Sequence, residues 1–137
     1  MWWIYALLSA LFAALTAIFA KIGVTNVNSN LATAIRTIII LLVAWGIVLL
    51  RGEGKELADI SKNNLFFLII SGLATGLSWI FYFKALQIGK VSQVAPVDKL
   101  SLALTLLLSV VFLKEVLTVK TAIGAALIIA GTLIMIL

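Results

Sequence analysis

The chain has 137 residues, 64% of them hydrophobic, with only ten basic and five acidic side chains. Its mean hydropathy is +1.28, and so few charges cannot cover a soluble domain of this size. Cysteine and histidine are both absent, which excludes disulfides, thiol nucleophiles, imidazole bases and the commonest transition-metal ligands, so no enzyme, cofactor or metal centre is expected.

The formal net charge is +5. The basic residues stand at the ends of apolar runs and in short connections, which suits topology and anionic headgroups rather than nucleic acid. Four apolar runs have about the length that crosses a bilayer core, and a fifth is interrupted by charge near its start. The expectation is an all-α integral membrane protein, one domain over 1–137, with five transmembrane helices near 2–20, 31–50, 65–86, 93–112 and 119–137.

The first run opens as MWWIYALL, without a basic n-region, and exceeds the core of a signal peptide, so it reads as a retained span. Trp2, Trp3 and Tyr5 suit an interfacial aromatic belt. Tyr5, Ser9, Phe12, Thr16 and Phe19 share one face, for helix packing or for a cavity wall. The uncharged connection GVTNVNSN is rich in turn-forming Asn. Arg36 follows, about one and a half turns inside the second span. Two readings compete for it: snorkelling to the headgroups, or facing inward to pair with an acid.

The longest connection, RGEGKELADISKNN, mixes both charge signs and reads as solvated, with KELADI as a short amphipathic turn at the interface. In the third span Gly72 and Gly76 form a GxxxG pattern that permits close helix approach, with Trp79 and Phe83 on that side. Another face carries Ser71, Thr75, Ser78 and Tyr82, a polar stripe almost the length of the helix. Lys84, near the helix end, reads as a snorkelling residue.

The fourth span is expected to start at Ser92 as N-cap, with Pro96 in the first turn, where a missing N–H costs little. Should the helix start earlier, Pro96 is a kink. Asp98, Ser101, Thr105 and Ser109 then step along one face as a second hydroxyl stripe. Near a helix start the dipole favours the Asp98 carboxylate by about 0.3–1 kcal/mol, with Lys99 and Lys90 as local countercharges. The competing account makes Asp98 a cargo ligand or a proton-coupling carboxylate. In the last connection Glu115 is expected to cap or to pair with Lys114 or Lys120. The fifth span carries Gly124, Ala125 and Gly131 on a face suited to packing, within the chain or against another subunit.

With the N-terminus inside, Arg51, Lys55, Lys62, Lys114 and Lys120 lie on the cytoplasmic side, against Lys21 and Lys90 outside, or three residues when Lys84 is counted. That is a mild preference for N-inside, and it leaves room for insertion in both orientations.

From Ala85 onward the chain carries an AL..G..S.VAP lead-in, a long apolar helix, an L.E turn at Leu113–Glu115 and a final helix with GAALI..G. This pattern resembles the C-terminal part of an EamA domain of the drug/metabolite transporter superfamily, and the earlier spans fit the same likeness. The Asp98–Lys99 pair after VAP departs from what is usual there. Many members of that family carry two five-helix domains as inverted repeats around a central pathway. The resemblance therefore implies that this chain is one half of such an architecture, completed by an antiparallel homodimer or a separate homologous chain.

The implied function is a secondary transporter or exporter of small metabolites in the cytoplasmic (inner) membrane. Its cargo path is expected between the polar faces of the third and fourth spans. Ser78, Tyr82, Asp98, Ser101 and Thr105 are the expected lining, with Trp79 as a wall and Arg36 as a countercharge. The alternative is a structural or regulatory membrane module that moves nothing. A channel ranks behind both, because no run suggests a selectivity filter or a dense ring of charge.

Overall fold

The computed structural model describes residues 1–137 and contains helices and connections but no strand. The elements are α1 (Trp2–Gly23), α2 (Ser29–Arg51), a 3₁₀ helix (Glu53–Asp59), α3 (Lys62–Ile88), α4 (Val91–Asp98), α5 (Leu100–Leu113) and α6 (Val119–Ile136). Five helical segments are long and apolar enough to cross a membrane: α1, α2, α3, the stretch Val91–Leu113 that joins α4 to α5, and α6. The chain is an all-α membrane protein. Two compact units divide it, Phe19–Gln87 and the pair of segments Met1–Ile18 and Ile88–Leu137.

The unit Phe19–Gln87 is anchored at the end of α3. Val24 and Leu86 are fully buried there, and Phe83 is nearly so. The last carbonyls of a helix lack intrahelical donors and carry partial negative charge. Lys21 Nζ answers one of them, donating to the Leu86 carbonyl at 2.6 Å. Gln87 Nε2 reaches the α1–α2 connection and donates to the carbonyls of Val27 at 2.8 Å and Val24 at 3.5 Å. That connection then starts α2 through Asn28, whose side-chain oxygen accepts from the N–H groups of Asn30 and Leu31. At its far end α2 stops on Gly52, whose φ of 70° lets its N–H return to Leu49 and Val48. KELADI lies in the 3₁₀ helix that follows, an open 620 Å³ cleft of which is lined by Trp45, Leu57 and the carboxylate residues Glu53, Glu56 and Asp59.

In the other unit, α6 packs against both α4 and α5. The fourth span departs from the expected start. Its N-cap is Lys90, not Ser92, and no side chain caps it. Pro96 therefore falls inside the helix, where its missing N–H and its ring disturb the ladder. The helix breaks at Lys99, whose N–H turns back to the carbonyls of Pro96 at 3.0 Å and Ala95 at 3.3 Å. Asp98 consequently sits at the end of α4 and just ahead of α5, rather than early in one continuous helix. The helix-start dipole account for this carboxylate weakens accordingly, because a helix end on one side opposes a helix start on the other.

Two further expectations change. A Cβ added at Gly72, Gly76, Gly124 or Gly131 would meet nothing within 4 Å, so these four glycines make no close approach within the chain. Glu115 contributes its backbone N–H, not its carboxylate. Together with Lys114, which takes a left-handed φ of 56°, it closes the end of α5 on the Ser109 carbonyl. The ion pairs that form are Arg51–Glu53 at 3.7 Å and Lys99–Asp98 at 3.2 Å.

Candidate functional site

Arg36 packs against aromatic rings of α3. Its Cζ lies 4.6 Å from the Trp79 ring centroid and 5.1 Å from that of Phe83, within range for cation–π attraction to both. Tyr82 meets Phe83 edge-on, with centroids 6.3 Å apart. Two of the expected site residues, Arg36 and Trp79, thus meet directly, with Phe83 as a third member and Tyr82 against the edge of Phe83.

The depth of this cluster follows from the helical rise. Arg36 is seven residues beyond Ser29, the first residue of α2, or about 10 Å along the axis. Phe83 and Trp79 are five and nine residues before Ile88, the last of α3, or about 8 and 14 Å. The rings lie at about the level of the guanidinium and hold it against α3. Placing Arg at a helix centre costs about 2.5–3.5 kcal/mol on insertion scales, and less nearer the ends. Two cation–π contacts of about 0.5–2 kcal/mol each offset much of that. They act on the charge and the ring faces, and leave the hydrogen-bonding edge of the fork unaddressed.

No acid of the same unit answers that edge. Its three carboxylates, Glu53, Glu56 and Asp59, all follow the far end of α2. Arg51, where α2 ends, is fifteen residues past Arg36, or about 22 Å of rise.

Asp98, Ser101 and Thr105 belong to the other unit. Asp98 Oδ2 accepts from Lys99 Nζ at 3.2 Å, between side chains 34% and 54% exposed. An ion pair that open is weak, about 0–1 kcal/mol, and easily exchanged. Ser101 and Thr105 are exposed along α5, as Ser78 is along α3. Other stripe hydroxyls are spent locally: Thr75 Oγ1 donates to the Ser71 carbonyl at 2.9 Å, and Ser109 Oγ to that of Leu106 at 3.0 Å. Such back-bonding is the ordinary satisfaction of a hydroxyl in a helix. The titratable groups do not gather into a metal-ligating set.

Two members of these sites were not singled out from sequence as such. Phe83 carries one face of the Arg36 cluster, though only its glycine-side position was legible. Thr132, on α6, is buried and donates its Oγ1 to the Pro96 carbonyl at 3.3 Å, steadying the broken span. Its signal was a hydroxyl in the otherwise apolar stretch of α6 that follows Thr121.

Residues 1–137 match the EamA-like transporter family. An uncharacterized transporter from the cobO 3′ region of a Sinorhizobium species is 48% identical over 134 residues, covering 98% of this chain and 95% of that protein. An uncharacterized protein of Methanocaldococcus jannaschii is 33% identical over 132 residues, covering 96% of this chain and 93% of its own length. No solved structure matches the chain. With a family match from end to end and a transporter-named relative at this identity, the chain belongs to the EamA-like transporter family.

Proposed function

We propose that this protein is a secondary transporter or exporter of small metabolites that works as an antiparallel dimer in the cytoplasmic membrane. The observation that carries the reading is the interrupted fourth span, where Pro96 opens the helix and leaves Asp98–Lys99 as an exposed, weakly held pair at the break. Discontinuous helices at mid-membrane are how inverted-repeat transporters expose backbone and charge to a cargo. A purely structural helix has no use for a break that burdens it with two charges.

The polar faces of the third and fourth spans line the cargo path in this reading. Ser78, Tyr82, Ser101 and Thr105 supply hydroxyls, Trp79 a wall, and Asp98 the exchangeable charge. A second copy supplies the other half. Both relatives are matched over more than nine-tenths of their own length by this chain. The open positions at Gly72 and Gly76 of α3 and at Gly124 and Gly131 of α6 offer close-packing points for such a partner. Nothing in this chemistry calls for an enzyme: the protein supplies binding and a change of access.

The test is flux in vesicles reconstituted with purified protein. Saturable uptake, competed by excess unlabelled cargo and driven by a pH gradient, is the expected result. Asp98→Asn abolishes the pH-driven component while expression and assembly stay intact. A stable assembly with no flux across a broad metabolite panel favours a structural module instead. PH-driven uptake unchanged in Asp98→Asn removes the coupling role.

A further inference from the structure

The Arg36 cluster specifies a class of cargo. This inference rests on the transporter reading and goes beyond it. A guanidinium is a planar fork with five N–H donors, and its edge matches a carboxylate or phosphate with two parallel hydrogen bonds. Here Trp79 and Phe83 hold the cation at 4.6 and 5.1 Å, and the acids of its unit all lie beyond the other end of α2. A cation kept at this depth, steadied by rings and given no carboxylate of its own unit, is one short of an anion. The aromatic walls beside it suit an apolar or flat group on the same ligand.

We propose that the edge of the Arg36 guanidinium is an oxyanion-binding point, and that the cargo is a small organic anion with an apolar portion. The same chemistry is met by the phosphate of a lipid headgroup, so the experiment separates the two sources.

Purified wild-type protein in dodecyl maltoside, which contains no phosphate, is dialysed to equilibrium against benzoate, its neutral isostere benzamide, and benzylammonium. Benzoate should bind at least about tenfold more tightly than benzamide, the factor one charge-assisted hydrogen bond supplies. Benzylammonium should bind most weakly. Arg36→Gln should lose the preference for benzoate, and Arg36→Lys should keep part of it, since the charge remains but the fork does not. Equal affinity of the wild type for benzoate and benzamide overturns the proposal, whether or not the variants fold. So does an unchanged preference in folded Arg36→Gln. Phospholipid phosphate retained by the wild type but not by Arg36→Gln, and not displaced by benzoate, gives the site to a headgroup and overturns the cargo assignment. Benzoate selectivity without flux of any solute leaves the anion site standing and sinks the transporter reading, whereas saturable flux of neutral or cationic solutes only, unaffected by Arg36→Gln, does the reverse.

Discussion

The two units treat polar groups inside a membrane in opposite ways. In Phe19–Gln87, polar side chains work at long range. Lys21 reaches Leu86, Gln87 reaches back to Val24 and Val27, and Arg36 on α2 is held by rings on α3. In the unit that holds α4, α5 and α6, the main polar feature is made by neighbours in sequence: Pro96 removes an N–H, Lys99 turns the chain, and Asp98 pairs with the next residue. The Thr132 hydroxyl adds a tertiary hydrogen bond to that break. A braced region fixes a charge in place. A locally made break keeps its charges available, which is what an exchanging site requires.

Stability measurements can break or sharpen this contrast, and the largest effect is expected at Phe83. The ring is 2% exposed and covers one face of Arg36. Phe83→Ala opens a cavity and removes a cation–π partner, a loss of about 3–5 kcal/mol, read by titrating detergent-solubilised protein with a denaturing detergent. A loss below about 1 kcal/mol, the range of an ordinary surface change, would show the braced region to be loose.

Gln87→Leu comes next. It keeps the bulk of the side chain but leaves the carbonyls of Val24 and Val27 without their donor, at about 1–3 kcal/mol. The same titration reports it, and faster proteolysis in the α1–α2 connection should accompany the loss.

Thr132→Val should matter least. A single interhelical hydrogen bond within a membrane averages about 0.6 kcal/mol and rarely exceeds about 1.7. Were Thr132→Val to cost as much as Gln87→Leu, the break would be braced as firmly as the other unit, and the contrast would fail.

The same contrast explains what the sequence disclosed. Hydropathy and turn chemistry were local, so the all-α membrane class, the Asn-rich start of α2 and Pro96 as the irregular point of the fourth span could all be read directly. The position of the break depended on where the helix began. Ser92 is a good capping residue by type, yet the chain enters the helix at Lys90, and two residues of difference move Pro96 from a harmless first turn into the interior. The Arg36 cluster was less legible because it joins residues more than forty positions apart in sequence. Sequence marked Arg36 as anomalous and Trp79 as a wall; it held no sign that the two would stack. The glycine faces were visible as patterns, but a pattern of small residues does not say whether its partner lies in the same chain.

That last point bears on the claim on which the proposed mechanism turns, that a second copy inserted the opposite way completes the transporter. The chain lacks cysteine, so a single introduced thiol is a clean reporter. Ala58→Cys, in the exposed 3₁₀ helix, and Asn26→Cys, in the exposed α1–α2 connection, lie on opposite sides of the α2 span. Labelling each from outside intact cells with a membrane-impermeant maleimide, before and after permeabilisation, is the most direct measurement. The account predicts that each cysteine is labelled in part from outside and fully only after permeabilisation. Complete labelling of one and none of the other would fix a single orientation and contradict an antiparallel homodimer built from this chain.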